Sequence, residues 1–397
     1  MSQLLSDKLR RLSPSATFVM AQKSAELAAA GVDVISLAVG EPDFPTPGHI
    51  AEAAHEAIDA GWTKYSPVGG YLSLREAICG KLLRENGLRY KPSQIVVSNG
   101  AKQCICNAVL ALVSPGDEVI IPAPYWVSYP QMVRLAGGVP VHPFCGIEAG
   151  FKLTASQLEE AIGPRTRLII LCSPSNPTGA VYSASELAAL AEVVLRHEDL
   201  MVISDEIYEH VNYTGTLASI AAVPGMEERC VVVNGVSKAY AMTGWRIGFS
   251  ASPQWLADAC NMLQGQYSSG PSSISQKSAE LAWNGSQECV EQMRAAFRRR
   301  RDLLVGLLRE IPGLVVPEPD GTFYLFPCVK AFLGRSFNGR RVETTEDLAM
   351  YLLEEAHVAT VAGDAFGAPG YLRLSFSTSE DKLQEAARRI ASALSTL

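Results

Sequence analysis

From about Thr46 to Asn284, short apolar runs alternate with stretches that repeat apolar residues at helical spacing. This alternation predicts an α/β layer fold around a mostly parallel sheet. Ile95–Ser98, Val119–Ile121, Leu168–Cys172, Leu200–Ser204, Val231–Val233 and Ile247–Ser250 read as strands, and Pro122 and Pro124 close the second. Ala101–Val113 and Ser185–Arg196 read as helices between them. Beyond Asn284 the pattern changes. Gln287–Leu308 reads as one long helix, and Leu348–Glu355 and Leu383–Leu394 as two more. Phe323–Phe326, Val358–Val361 and Leu372–Phe376 read as strands of a smaller α+β unit, which the N-terminal segment is expected to complete. The division that follows is an arm with part of the small unit at 1–45, a large domain at 46–285 and a small C-terminal domain at 286–397. A chain of 397 residues is long enough for more than one core.

With 48% hydrophobic and 19% charged residues, the chain is neither disordered nor fibrous. Its 34 Lys and Arg against 41 Asp and Glu leave a net charge of −7, which argues against a nucleic-acid partner. The basic run Arg298–Arg301 is read as a solvated helix face. No apolar run approaches the roughly twenty residues of a membrane-spanning helix. The opening stretch MSQLLSDKLRRL has no apolar core followed by small residues, so a secretory signal is not expected and a cytoplasmic location is. The nine cysteines are scattered except for Cys104 and Cys106, which have no second pair to complete a zinc site. Most of them read as small core residues in a reducing compartment. The six histidines show no metal-binding spacing, and no metal is expected.

The candidate chemistry lies just past strand ends, where α/β sheets place their ligands. A lysine past a strand, such as Lys238, is by itself an ordinary loop residue. Here, however, Ser237, Lys238 and Arg246 bring a hydroxyl, an amine and a guanidinium within ten residues. An amine forms a Schiff base with an aldehyde cofactor, and the other two groups suit its phosphate. Asp205 ends the strand Leu200–Ser204, where a carboxylate is costly unless it meets a cation such as a protonated pyridine nitrogen. Tyr208 follows three residues on and can reach the ring's phenolic oxygen; the competing reading of Asp205 is a helix cap. In Ser173–Gly179, two prolines and a glycine form a stiff turn that holds Asn176 outward, as a donor to a cofactor oxygen or as part of a plain crossover. Gly100, Ala101 and Lys102 open a helix whose unpaired amides can cradle a phosphate, although the loop is neither a Walker A nor a G-x-G-x-x-G motif. Trp126 either stacks on a flat ring or belongs to the core.

Seven stretches, in this order, resemble the class I, fold-type I aminotransferases that use pyridoxal phosphate. They are Leu37–Phe44, Tyr65, Pro122–Ser128, Ser173–Gly179, Ser204–His210, Ser237–Gly248 and Tyr371–Ser375. The likeness spans nearly the whole chain. It is strongest to the bacterial and plastidial aspartate aminotransferases and their prephenate-transaminating relatives. The resemblance implies that Lys238 holds the cofactor and shuttles a proton, while Asp205 keeps the pyridine nitrogen protonated. It implies that Asn176 and Tyr208 bond the phenolic oxygen and that Trp126 stacks on the ring. Ser237, Arg246 and the amides of Ala101 and Lys102, after Gly100, would bind the phosphate. Tyr65 would reach the phosphate of a neighbouring subunit, making a homodimer with shared sites.

For the substrate, the resemblance makes Arg373 the clamp of the α-carboxylate and lays Gly40 close against it, beside Trp126 and Asn176. Lys102 and Thr17 match the residues that serve a distal carboxylate in relatives handling dicarboxylates. Their pairing also resembles the subset that transaminates prephenate. The other reading sets Lys102 at the phosphate and Thr17 as a helix cap. The expected reaction moves an amino group between aspartate or glutamate and 2-oxo acids. The alternatives are an aminotransferase for aromatic, kynurenine-type or other neutral amino acids, and a non-transaminating lyase of the same fold. Arg373 and Lys102 favour transamination over a lyase.

Overall fold

The computed structural model describes residues 4–397. Met1, Ser2 and Gln3, where the arm expected at 1–45 begins, lie outside the described residues. Strand β1 (Ile35–Ser36) precedes the strands of the central sheet: β2 (Ile95–Ser98), β3 (Glu118–Ile120), β4 (Val139–Val141), β5 (Thr166–Cys172), β6 (Met201–Asp205), β7 (Cys230–Gly235) and β8 (Gly248–Ala251). Their order across the sheet is β2-β8-β7-β6-β5-β3-β4. Only β8 runs against the others. The carboxyl ends of the remaining strands, and the beginning of β8, therefore meet along one edge.

Both faces of this sheet are covered, so its strands are continuous apolar runs whose side chains alternate between two layers. Ile169 and Leu171 of β5 pack into one apolar cluster with residues of the helices Leu72–Asn86, Ala184–Leu195 and Ser273–Asn284. Leu168 and Ile170 of the same strand pack into the other, with residues of Ala101–Leu112, Tyr129–Ala136 and Gln254–Tyr267.

Two of these helices carry polar residues on the face that packs inward. The inward face of Leu72–Asn86 includes Lys81, and that of Ser273–Asn284 includes Ser273, Ser275, Gln276 and Ser278. These polar residues are buried because they bond each other and the neighbouring turns: Gln276, for example, accepts the amide of Tyr71 and donates to the carbonyl of Pro271.

The remaining strands are β9 (Tyr324–Leu325), β10 (Ser336–Phe337), β11 (Arg340–Arg341), β12 (Val358–Ala359), β13 (Val361–Ala362) and β14 (Leu372–Ser375). The stretch expected as one strand, Val358–Val361, is two. Val358–Ala359 pairs with β1 from the N-terminal segment, whereas Val361–Ala362 pairs with β14. β14 also pairs with β9, which sets Tyr324 opposite Ser375, two residues along from Arg373. The run Arg298–Arg301 on the helix Glu288–Arg309 is a solvated face in its first half only. Arg300 is only 11% exposed and forks onto Asp43, and Arg301, at 12%, reaches Glu318 and the carbonyl of Pro319. Arg298 donates to the carbonyl of Tyr213 yet stays exposed, as does Arg299. No helix among the described residues is long and apolar enough to cross a membrane.

Candidate active site

One cavity of about 530 Å3 opens along the shared edge of the sheet. Each nearby junction sends a residue into it. Ala101 and Lys102 come after β2, Trp126 after β3, Asn176 after β5, Ile207 and Tyr208 after β6, and Ser237 and Lys238 after β7. Asp205 itself ends β6, and Arg246 lies just before β8. Gly40 and Thr17 from the N-terminal segment, and Arg373 and Tyr324 from β14 and β9, close the far side. Tyr65 does not line this cavity; it is fully exposed on the surface.

Lys238 lies at the centre. Its Nζ donates to the carbonyl of Gly40 at 2.6 Å. Burial pushes its pKa down to about 8, with Glu41 opposing the shift and the Arg373 and Arg246 cations reinforcing it. Asp205 is buried, and burial raises its pKa to about 6 even though Tyr129, the Ile207 amide and Lys238 favour its charged form. A carboxylate held this way, with no cation in contact, gains most from a positively charged partner entering the cavity.

Asn176 is turned into the cavity and buried rather than held outward, because its Oδ1 accepts Nη1 of Arg373 at 3.1 Å. Its amide hydrogens remain for another acceptor. Arg373 is itself buried, and Nη2 donates to the carbonyl of Ala38 at 2.7 Å. Its Nε has no partner among the described residues. A buried guanidinium with an orphan N–H is poised for an anion that supplies the missing acceptor.

At the other end, the amides of Ala101 and Lys102 open the helix Ala101–Leu112, and neither donates to a backbone carbonyl. Gly100 precedes them with φ +84°, and a Cβ there would stand 2.5 Å from Nη2 of Arg246. Glycine is thus required both by the backbone and by the approach of the guanidinium. Arg246 is anchored by the carbonyls of Thr243 and Asn99. Ser237, Arg246 and these two amides make a donor-rich, cationic corner that suits a phosphate. Lys102 is exposed at the rim, with Nζ 4.9 Å from the ring centre of Trp126. Partial desolvation of its ammonium and the nearby Arg246 lower its pKa. Trp126 is only half-buried, so it belongs to the cavity wall and not to the interior. Thr17 lies inside the first turn of Ala16–Ala29; Ser15 occupies the cap position, so Thr17 is not the cap.

Two tyrosines that the sequence reading does not single out belong to this site. Tyr129 donates its hydroxyl to Oδ2 of Asp205 at 2.6 Å. Tyr324 lies with its hydroxyl oxygen 2.9 Å from that of Tyr208. The available signal is chemical, since a tyrosine on a buried strand or helix must place its polar tip on a partner.

An amine, a buried carboxylate, a phosphate-suited corner and a buried guanidinium around one cavity of an α/β sheet define a group-transfer enzyme. The chain belongs to the family Aminotransferase class I and II, whose sequence profile matches residues 32–390. It is 51% identical over 391 residues to the aspartate/prephenate aminotransferase of Cereibacter sphaeroides, covering 97% of each chain. It is 50% identical over 398 residues to the bifunctional aspartate aminotransferase and glutamate/aspartate-prephenate aminotransferase of Petunia hybrida, covering 99% of this chain and 83% of that protein. The crystal structure of the aspartate aminotransferase of Rhizobium meliloti superposes with a TM-score of 0.96 at 45% identity, covering all of both chains.

Proposed function

We propose that this enzyme transfers amino groups between aspartate or glutamate and 2-oxo acids, that prephenate is a further acceptor, and that pyridoxal 5'-phosphate is the cofactor. The observation that carries the reading is the Lys238 amine sharing one cavity with the buried Asp205 carboxylate and with the orphan Nε of Arg373. The names of the relatives support the choice of aspartate and prephenate.

When bound, the cofactor supplies an aldehyde and an electron-accepting ring. Lys238 would hold it; with a pKa near 8, the amine is partly neutral at physiological pH and can both attack a carbonyl and take a proton. Asp205 would face the ring nitrogen and keep it protonated. Asn176 and Tyr208 would donate to the phenolic oxygen, and Trp126 would cover the ring. Ser237, Arg246 and the amides of Ala101 and Lys102 would hold the phosphate after Gly100. Arg373 would take the α-carboxylate at the side of Gly40, with Lys102 and Thr17 meeting a second carboxylate. Tyr65, exposed on one protomer, would complete the partner's phosphate site in a homodimer, and the enzyme would work in the cytoplasm.

The test is absorbance of the pyridoxal-phosphate-loaded protein during half-reactions with single amino acids. Aspartate and glutamate are expected to bleach the cofactor band faster than alanine or phenylalanine. A faster change with the neutral amino acids would replace this substrate assignment, and failure to take up the cofactor would end it.

A further inference from the structure

Tyr324 is joined to three parts of the cavity at once. Its hydroxyl meets that of Tyr208 at 2.9 Å. Its ring lies under the Arg373 guanidinium, whose carbon is 4.5 Å from the ring centre. Its hydroxyl also lies against the backbone of Gly40, where an added Cβ would come within 2.7 Å of it. Both tyrosines are buried, and burial raises both pKa values, so each keeps its proton.

Two neutral phenols in contact share a simple constraint. Each has one proton, so only one of them donates across the pair. If Tyr208 donates to Tyr324, it has only a lone pair to offer the cavity. If Tyr324 donates, the proton of Tyr208 is free for an acceptor there, and the incoming bond polarises that O–H and strengthens it as a donor. The Arg373 cation over the ring of Tyr324 withdraws electron density and makes Tyr324 the better donor.

We propose that Tyr324 is a positioning residue that donates to Tyr208 and so commits the Tyr208 proton to the phenolic oxygen of the cofactor. This rests on the cofactor role proposed for Tyr208. Tyr324 forms no bond to the cofactor; its influence passes through one hydroxyl. The Gly40 backbone and the Arg373 guanidinium hold its ring in place, which keeps that hydroxyl directed at Tyr208.

The experiment is a pH titration of the absorbance of the protein loaded with pyridoxal 5'-phosphate, for the wild type, Tyr324→Phe, Tyr208→Phe and the double variant. A donor to the phenolic oxygen stabilises that oxygen's negative charge without help from the neighbouring proton. Weakening the donor therefore raises the pH at which the band changes. Tyr324→Phe keeps the ring under Arg373 and is expected to raise that midpoint by about half to one unit, the size of one neutral hydrogen bond. In the Tyr208→Phe background the same substitution is expected to do nothing, because the relay is already cut. An equal shift in both backgrounds, or no shift in either, overturns the proposal. If Tyr208→Phe alone leaves the midpoint unchanged, the role of Tyr208 fails first, and that result is separable from a failure of Tyr324. Thermal melts of the four proteins separate a general packing loss, which would lower Tm without the background dependence.

Discussion

The hydroxyl of Tyr129 donates to Oδ2 of Asp205 at 2.6 Å, and both side chains are buried. Oδ1 of the same carboxylate accepts the amide of Ile207 at 3.2 Å. Two donors therefore fix the plane of a carboxylate that lines the cavity. The bonds favour the charged form, yet burial outweighs them and leaves the pKa near 6. Asp205 is thus held as a desolvated carboxylate at the cavity, a setting that a cationic ligand would relieve.

This imbalance predicts how the protein without cofactor responds to pH. Asp205 goes from an ordinary 3.8 to about 6 on folding. Between those values the folded chain holds a proton that the unfolded chain has released, so the contribution to stability is complete below about pH 4 and falls as pH rises toward 6. The loss amounts to roughly 3 kcal/mol. Urea denaturation across pH 4–7 should show a shallower fall for Asp205→Asn than for the wild type. Tyr129→Phe removes a bond that lowers the pKa, so its fall should extend to higher pH. Parallel curves for the wild type and Asp205→Asn would show that Asp205 does not titrate in this window.

Lys238 leads to a second prediction. Burial depresses its pKa to about 8, so the neutral amine becomes abundant near that pH. The rate of cofactor capture should climb with pH and level off above about 8. Borohydride should fix pyridoxal phosphate to the wild type and not to Lys238→Ala, with mass spectrometry locating the adduct. An adduct of equal yield on Lys238→Ala would move the covalent role to another lysine.

The shared-site reading of Tyr65 gives a third. An inactive Lys238→Ala chain mixed with an inactive Tyr65→Ala chain makes heterodimers holding one site with both defects and one with neither. With random equimolar exchange, activity should return to about a quarter of wild type, since half of the dimers are mixed and each has one intact site. Proven subunit exchange with no recovery would leave Tyr65 outside its partner's site.

Much of the site is legible in the sequence because the sheet dictates where it lies. A parallel strand followed by a helix leaves its next residues at one edge, so strand ends place Lys102, Trp126, Asn176, Tyr208 and Lys238 on that edge, while the choice among their possible roles comes from the resemblance. Residues that act through another side chain are not legible in that way. Tyr129 and Tyr324 look like core aromatics until the fold brings the hydroxyl of one to the Asp205 carboxylate and that of the other to Tyr208. The buried polar faces fail for a related reason. Lys81 fits an apolar stripe only because Glu209, from the turn just past Asp205, and Asn86 wait for it at the end of the helix. Arg300 and Arg301 likewise find carboxylates supplied by distant segments, which no local charge pattern reveals.

The last prediction concerns substrate choice. Aspartate, glutamate, oxaloacetate and prephenate share a carboxylate beside the reacting carbon, and Arg373 with its orphan Nε is the buried cation suited to it. They also share a second carboxylate, which phenylpyruvate and alanine lack. Lys102 is at the rim of the cavity with Thr17, and its ammonium is held over the Trp126 ring, with no carboxylate against it among the described residues. A lysine carries a compact charge on a flexible stem, so it can meet carboxylates at different distances better than a rigid guanidinium fork. That property suits one site to both short oxaloacetate and bulky prephenate. Losing one charge-assisted hydrogen bond costs about 1.5–3 kcal/mol, or roughly ten- to a hundredfold in kcat/KM. Lys102→Ala should therefore weaken oxaloacetate and prephenate by that order and leave phenylpyruvate nearly unchanged, while Thr17→Val should give a smaller loss in the same direction. The competing role, with the Lys102 side chain serving the phosphate next to Arg246, makes a different forecast. It would weaken all three acceptors equally and raise the concentration of pyridoxal phosphate needed to load the enzyme. Measuring kcat/KM for the three acceptors together with cofactor affinity separates the two, and an equal loss across the acceptors would remove Lys102 from the distal-carboxylate role.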